Sequence, residues 1–131
     1  MGETMDDLVK REGLYYKKFS DTPFTGKITG KIQGSFKNGK KEGAWVSYHS
    51  NGQLDYKGNY KNGKQEGAEV SYYENGQLEY KSNYKNGKLE GASVSYWSNG
   101  QLMYKGDYKN GKQEGEWVRY HKNGQLWDKG N

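Results

Sequence analysis

The sequence predicts an all-β fold: an elongated single-layer antiparallel meander of tandem β-hairpins with a short helical cap at its N-terminus. Three observations carry this. A phrase of the form aromatic-KNGKxEG recurs four times at a period of 24 residues, and repetition at such a period marks an array of supersecondary units that bury surface against one another. Between its occurrences, short runs alternate in polarity and are bounded by Asn-Gly, the strongest short-range hairpin signal. Finally, 15% of the 131 residues are aromatic although only 31% are hydrophobic. Disordered chains are poor in aromatics, so something here is built on tyrosine, whose apolar body and polar tip suit a partly dry face.

Residues 1–35 stand outside the period and read as a cap. In TMDDLVKREG, Thr4 and Asp7 have the spacing of a capping box. Lys10 and Arg11 follow near a C-terminus, and Gly13 fits a C-cap. This predicts a short helix over about residues 5–12, placed to cover the first strand edge. The stretch from Gly13 to Phe36 then reads as a degenerate repeat. Its Gly26 precedes Gly43 by 17 residues where 24 are expected, so one hairpin is shortened.

Four units follow without gaps, at 36–59, 60–83, 84–107 and 108–131. In the first, Ala44, Val46 and Tyr48 point one way and Trp45, Ser47 and His49 the other. After the turn, Leu54, Tyr56 and Tyr60 form one set, and Asp55, Lys57 and Asn59 the other. The expected better-buried face carries Val46, Tyr48, Leu54, Tyr56 and Tyr60 with their equivalents. Asn51-Gly52, Asn75-Gly76, Asn99-Gly100 and Asn123-Gly124 are one series of turns. The KNG phrases supply the other, at Asn38, Asn62, Asn86 and Asn110. Both residues tolerate positive φ. Each unit is thus two strands and two turns, and the four give about eight strands. The last unit departs from the rest. Asp128, preceded by Trp127, stands where the others have Tyr56, Tyr80 and Tyr104. Its final strand is expected to be an exposed edge, either open to self-association or protected by its Lys and Asp.

The pattern G-x-W-x-x-Y-x-x-N-G-Q-L, carried here by Gly43, Trp45, Tyr48, Asn51, Gly52, Gln53 and Leu54, resembles the bacterial variant of the MORN repeat over residues 36–131. Chains of that kind are often labelled antitoxins of the YwqK type. The resemblance implies an elongated sheet of hairpins with a scaffolding or protein-binding role. The tryptophan of the pattern is present at Trp45 and Trp117 and replaced by Glu69 and Ser93.

Composition narrows the function. There is no cysteine, which excludes disulfide and thiolate chemistry. No apolar run approaches the ~18 residues of a membrane-spanning helix. Met1-Gly2 ahead of ETMDDL reads as a start placed on a mature chain that has lost a signal peptide, which points to an exported or periplasmic location. The net charge of +5 divides as +1 over residues 1–35 and +2, −1, +1 and +2 over the four units. Spread so along the chain, it does not favour nucleic acid, which asks for a concentrated basic face. Catalysis needs an asymmetric constellation. His49 and His121 share one column three units apart, about 30 Å by strand spacing, and cannot act together. Glu42, Glu66, Glu90 and Glu114 beside their lysines suggest local ion pairing rather than a metal site. No cofactor or metal is expected.

The remaining candidates are binding residues. Lys57, Lys81, Lys105 and Lys129 form a ladder spaced about 10 Å apart. It is either a solubilising row or a grip on an anionic lipid or polymer. On the same expected face, Trp45, Tyr73, Trp97 and Trp117 keep at least one ring in every unit, either packed across the surface or offered to a glycan or protein. The leading reading is a non-enzymatic protein-interaction scaffold. The alternative is a module for a cell-envelope polymer or anionic lipid, held through a combined lysine and aromatic face.

Overall fold

A computed structural model describes residues 2–131; Met1, and with it the expected start ahead of a mature chain, lies outside the described residues. The elements are a 3-10 turn (Met5–Asp7), β1 (Leu8–Arg11), β2 (Leu14–Lys17), β3 (Gly26–Ile28), β4 (Ile32–Lys37), β5 (Lys40–Tyr48), β6 (Leu54–Lys61), β7 (Lys64–Gln65), β8 (Gly67–Tyr72), β9 (Leu78–Lys85), β10 (Lys88–Leu89), β11 (Gly91–Tyr96), β12 (Leu102–Lys109), β13 (Lys112–Tyr120) and β14 (Leu126–Gly130). The strands from β3 to β14 form one 12-stranded antiparallel sheet in chain order. Its short strands β7 and β10 lead into β8 and β11, so residues 36–131 contribute the eight strands expected. Single-layer architecture leaves much surface wet. The accessible area is 8628 Å², against roughly 7,000 Å² for a compact chain of this mass.

The N-terminal helix is not formed. Thr4 and Asp7 do make their capping box, with Thr4 N–H donating to Asp7 Oδ2 at 2.9 Å, but only three residues turn before the chain extends. Leu8–Arg11 pairs instead with Leu14–Lys17. The reason is local: Glu12 and Gly13 adopt φ of 49° and 81°, the pair of positive values of a type I′ hairpin turn. Gly13 closes a hairpin and caps no helix. Glu3 still guards the first edge, forming a parallel bridge to Ile28 and accepting the Thr29 amide at 2.8 Å. Leu8, Phe24, Ile28, Phe36 and Trp45 make the small buried core, with Met5, Tyr15, Tyr56 and Tyr60 against it.

The two turn series differ. In the KNG series Asn62 and Gly63 have φ of 51° and 80°, as do their equivalents closely, which is again type I′. In the NGQL series only the glycine is positive, 88° at Gly52. Asn51 instead accepts the Gln53 amide on its Oδ1 at 2.9 Å, and the Gly52 amide reaches back to His49 O at 2.9 Å.

A bulge beside each NGQL turn reassigns the faces. Tyr48 pairs with Leu54 but Ser47 pairs with Tyr56, so Asp55 is an extra residue on β6. The same shift recurs at Glu79, Met103 and Trp127. Directly opposed residues share a side. Trp45 opposite Gly58 and Ser47 opposite Tyr56 therefore define one face; Val46 opposite Lys57 and Ala44 opposite Asn59 define the other. Uninterrupted alternation groups Tyr56 and Tyr60 with Val46 and Leu54, and sets Lys57 beside Trp45. The bulge does the reverse. We call the two sides the Trp face and the lysine face.

Candidate binding face

On the Trp face the aromatic side chains are committed to structure. Trp45 is 2% exposed and lies so close over Gly34 that a Cβ there would meet its ring at 2.1 Å. Phe36 meets it edge-on at 5.1 Å, and the Lys41 ammonium sits 4.8 Å from its ring centre. Burial, then the nearby Lys10 charge, holds the Lys41 pKa below the ordinary lysine value. Where the column changes to Glu69, the carboxylate is 5% exposed. It accepts the Tyr56 hydroxyl at 2.8 Å and the Gln65 amide. Burial first, then hydrogen bonds to Tyr60 and to Glu69, push the Tyr56 phenol well above its usual value. Tyr80, beside the same carboxylate, is raised by burial and then by the Glu69 charge. Ser93 is also buried, at 7% exposure. Trp117 is half-buried and lies over Gly130 at about 2.6 Å from a Cβ placed there.

Tyr73 and Trp97 act as clips between repeats. The Tyr73 hydroxyl donates to Tyr96 O at 2.6 Å, and Trp97 Nε1 donates to Tyr120 O at 3.0 Å. In the same column, His49 Nε2 contacts Tyr72 O at 2.8 Å. The turns are joined likewise. Asn51, Asn75 and Asn99 donate their side-chain amides to Glu74 O, Ser98 O and Lys122 O at 3.0, 2.8 and 2.9 Å. At the opposite edge Glu42, Glu66 and Glu90 accept the backbone amides of Asn62, Asn86 and Asn110 at 3.1, 3.0 and 3.1 Å. These glutamates therefore bind the next turn, not their own lysines as their spacing suggested. The charge swap in the last unit is also structural. Arg119 Nε and Nη2 donate to Asp128 at 2.8 and 2.6 Å, which lowers the Asp128 pKa.

The lysine face is organised differently. Lys57, Lys81, Lys105 and Lys129 oppose Val46, Val70, Val94 and Val118. All four lysines are exposed, and among the described residues none forms an ion pair. Small Ala44, Ala68 and Ala92 leave room beside them. A hollow of about 500 Å³ lies between Lys57, Lys81, Ala68, Val70 and Leu78. A larger one, about 760 Å³, lies between Ala92, Lys105, Asp107, Val118 and Lys129. The result is an interrupted trough along the array with an apolar floor; its rim is ammonium at the smaller hollow and mixed at the larger, where Asp107 and Glu116 stand beside Lys105 and Lys129. Toward the KNG turns the same face carries directly opposed lysines: Lys37 with Lys40, Lys61 with Lys64, Lys85 with Lys88 and Lys109 with Lys112. Each repeat thus turns three lysines to this side. Charge that looks thin along the chain is concentrated across it, a signal that alternation hid once the bulge was missed.

The sequence-predicted sites therefore separate. The lysine ladder stands on one face; Trp45 and Trp117 are packed on the other, with Tyr73 and Trp97 bonded to the neighbouring repeat. The lysines and the tryptophans do not share a face; the rings beside the lysine ladder are Tyr48, Tyr72, Tyr96 and Tyr120 instead.

This architecture matches a known repeat. The family model described as MORN repeat variant matches residues 41–62, 65–86, 89–110 and 113–131. The chain belongs to the MORN repeat variant family. A search of curated proteins found no match. MORN repeats are generally modules for protein or membrane interaction, and the family is a repeat binding module. The starts of the four MORN matches fall 24 residues apart, and the interrepeat bonds above recur at that spacing.

Proposed function

We propose that this MORN-repeat chain is a non-enzymatic scaffold that takes a partner protein on its lysine face. The observation that carries the reading is the trough. Lys57, Lys81, Lys105 and Lys129 are exposed and unpaired beside Ala and Val side chains, whereas the rings of the opposite face are spent on packing and interrepeat hydrogen bonds. An apolar floor with a charged rim is the anatomy of a protein interface. Its sign selects a partner segment that alternates apolar and acidic side chains.

The test is capture of partner proteins by the full chain, followed by zero-length carboxylate-to-amine crosslinking. Crosslinks at Lys57, Lys81 and Lys105, with capture reduced at least tenfold in K57Q/K81Q/K105Q, support the reading. Capture unaffected by those changes and lost on Tyr73→Phe with Trp97→Phe would move the interface to the Trp face. Binding only to anionic vesicles, with no captured protein, would favour a lipid surface instead.

A further inference from the structure

We infer that the KNG edge of the array is a second, separate site that binds an unbranched phosphate polymer lying along the repeats. The first observation is the register. Four times over, a lysine stands directly opposite another across a tight turn: Lys61 against Lys64, Lys85 against Lys88, and their equivalents at either end. Like charges placed so are destabilising, and the turn conformation, specified by Asn and Gly, does not call for a cation on both sides. All eight side chains are exposed, and among the described residues none makes an ion pair.

The second observation is that the lysines are laid out in line. A Cβ at Gly63 would meet Lys40 Cβ at 3.5 Å, and one at Gly87 would meet Lys64 Cβ at 3.5 Å. The aliphatic stems of Lys40 and Lys64 thus rest on the next turn, which sets consecutive lysine pairs side by side along the edge. Between consecutive turns the edge opens into a hollow of about 370 Å³, lined by Lys85, Asn86, Lys88, Glu90, Lys109 and Asn110. The one carboxylate in it, Glu90, has Oε1 engaged by the Asn110 amide at 3.1 Å; Glu42 and Glu66 are engaged likewise. The cations face outward and the anions face the backbone.

The chemistry of the ligand follows from charge density. Opposed residues of a hydrogen-bonded pair have their Cα atoms about 5.5 Å apart, and successive turns lie about 10 Å apart. Two ammoniums per turn therefore ask for about two negative charges per turn. The carboxylates on one side of an extended acidic peptide are spaced at about 6.6 Å and supply fewer. A phosphate chain carries a charge on every unit at closer spacing. The rings on this face, Tyr48, Tyr72, Tyr96 and Tyr120, lie at the opposite ends of the strands, too far to stack a base, so nucleic acid would gain only its backbone here. A single phosphate ion reaches one turn and leaves the lysine pairs of the other three unmatched.

Medium-chain inorganic polyphosphate is the probe, titrated into the labelled full chain at several salt concentrations. Wild type should bind it, and K61Q/K64Q/K85Q/K88Q should bind at least tenfold more weakly. The slope of log affinity on log salt should fall by roughly 3 for four lysines removed. K57Q/K81Q/K105Q, in the trough, should lose less than threefold. The edge variant should melt no lower than wild type, since it relieves repulsion, so weaker binding cannot be laid to unfolding. Failure of wild type to bind at low salt would overturn the inference. So would an equal or greater loss in the trough variant, or equally tight binding of polyglutamate or anionic vesicles with the same lysine dependence. Partner-protein capture by the trough variant, measured separately, tests the scaffold reading, so the two can fail independently.

Discussion

Gly34 shows how a single side chain governs packing in a sheet one layer thick. Trp45 lies on it because no other residue leaves room for the indole, and a Cβ at Gly34 would stand 2.1 Å from the ring. Overpacking of this kind typically costs about 1–3 kcal/mol. Gly34→Ala should lower thermal stability by that order and increase the solvent exposure of Trp45, both readable in one melt followed by tryptophan fluorescence. The tyrosines of the same face set the alkaline limit. Burial raises the phenols of Tyr56, Tyr80 and Tyr84, and pushes Tyr108 up to about 12. A phenol whose folded pKa lies above its unfolded value near 10 contributes stability that is whole below pH 10. That stability is lost as pH rises toward the folded pKa. The melting temperature should therefore fall above pH 10, and phenolate absorbance should appear together with unfolding. Phenolate absorbance that developed fully while the sheet remained folded would contradict this.

At the scale of elements, the hairpins are joined by bonds that recur once per repeat. Glu66→Ala removes the acceptor of the Asn86 amide and should cost about 0.5–1.5 kcal/mol, with faster hydrogen exchange at Asn86. Glu114→Ala is the control, since Glu114 makes no such bond among the described residues and should change nothing. This scale is also where the sequence was most and least legible. Strand count and turn positions follow from Asn-Gly and alternation, because those signals are local. The N-terminal helix was misread because a real capping box at Thr4 and Asp7 was weighed above Glu12-Gly13, a turn signal of the weaker, non-Asn kind. The faces are not legible because Asp55, Glu79, Met103 and Trp127 are bulge residues. A single extra residue reverses every later assignment on its strand, and no composition marks it. The aromatic candidates were legible as positions but not as roles, since whether Tyr73 and Trp97 face a ligand or a neighbouring carbonyl is decided by the repeat-to-repeat distance.

At the scale of the molecule, the two faces divide the work. The Trp face and the turn ladders hold the MORN array together. The lysine face, with its Ala and Val trough, is the one proposed to bind. Each repeat contacts chiefly its neighbours, so stability accumulates along the array while the trough lengthens with it. The electrostatic share of binding should weaken with salt, because exposed charges are screened beyond about 10 Å at 0.1 M. The most direct test is lysine-by-lysine acetylation of the chain, free and partner-bound, read by mass spectrometry. Protection of Lys57, Lys81 and Lys105 in the complex, with Lys41 on the Trp face unchanged, is the predicted result. Unchanged acetylation at those three lysines, with protection confined to Lys41, would contradict it.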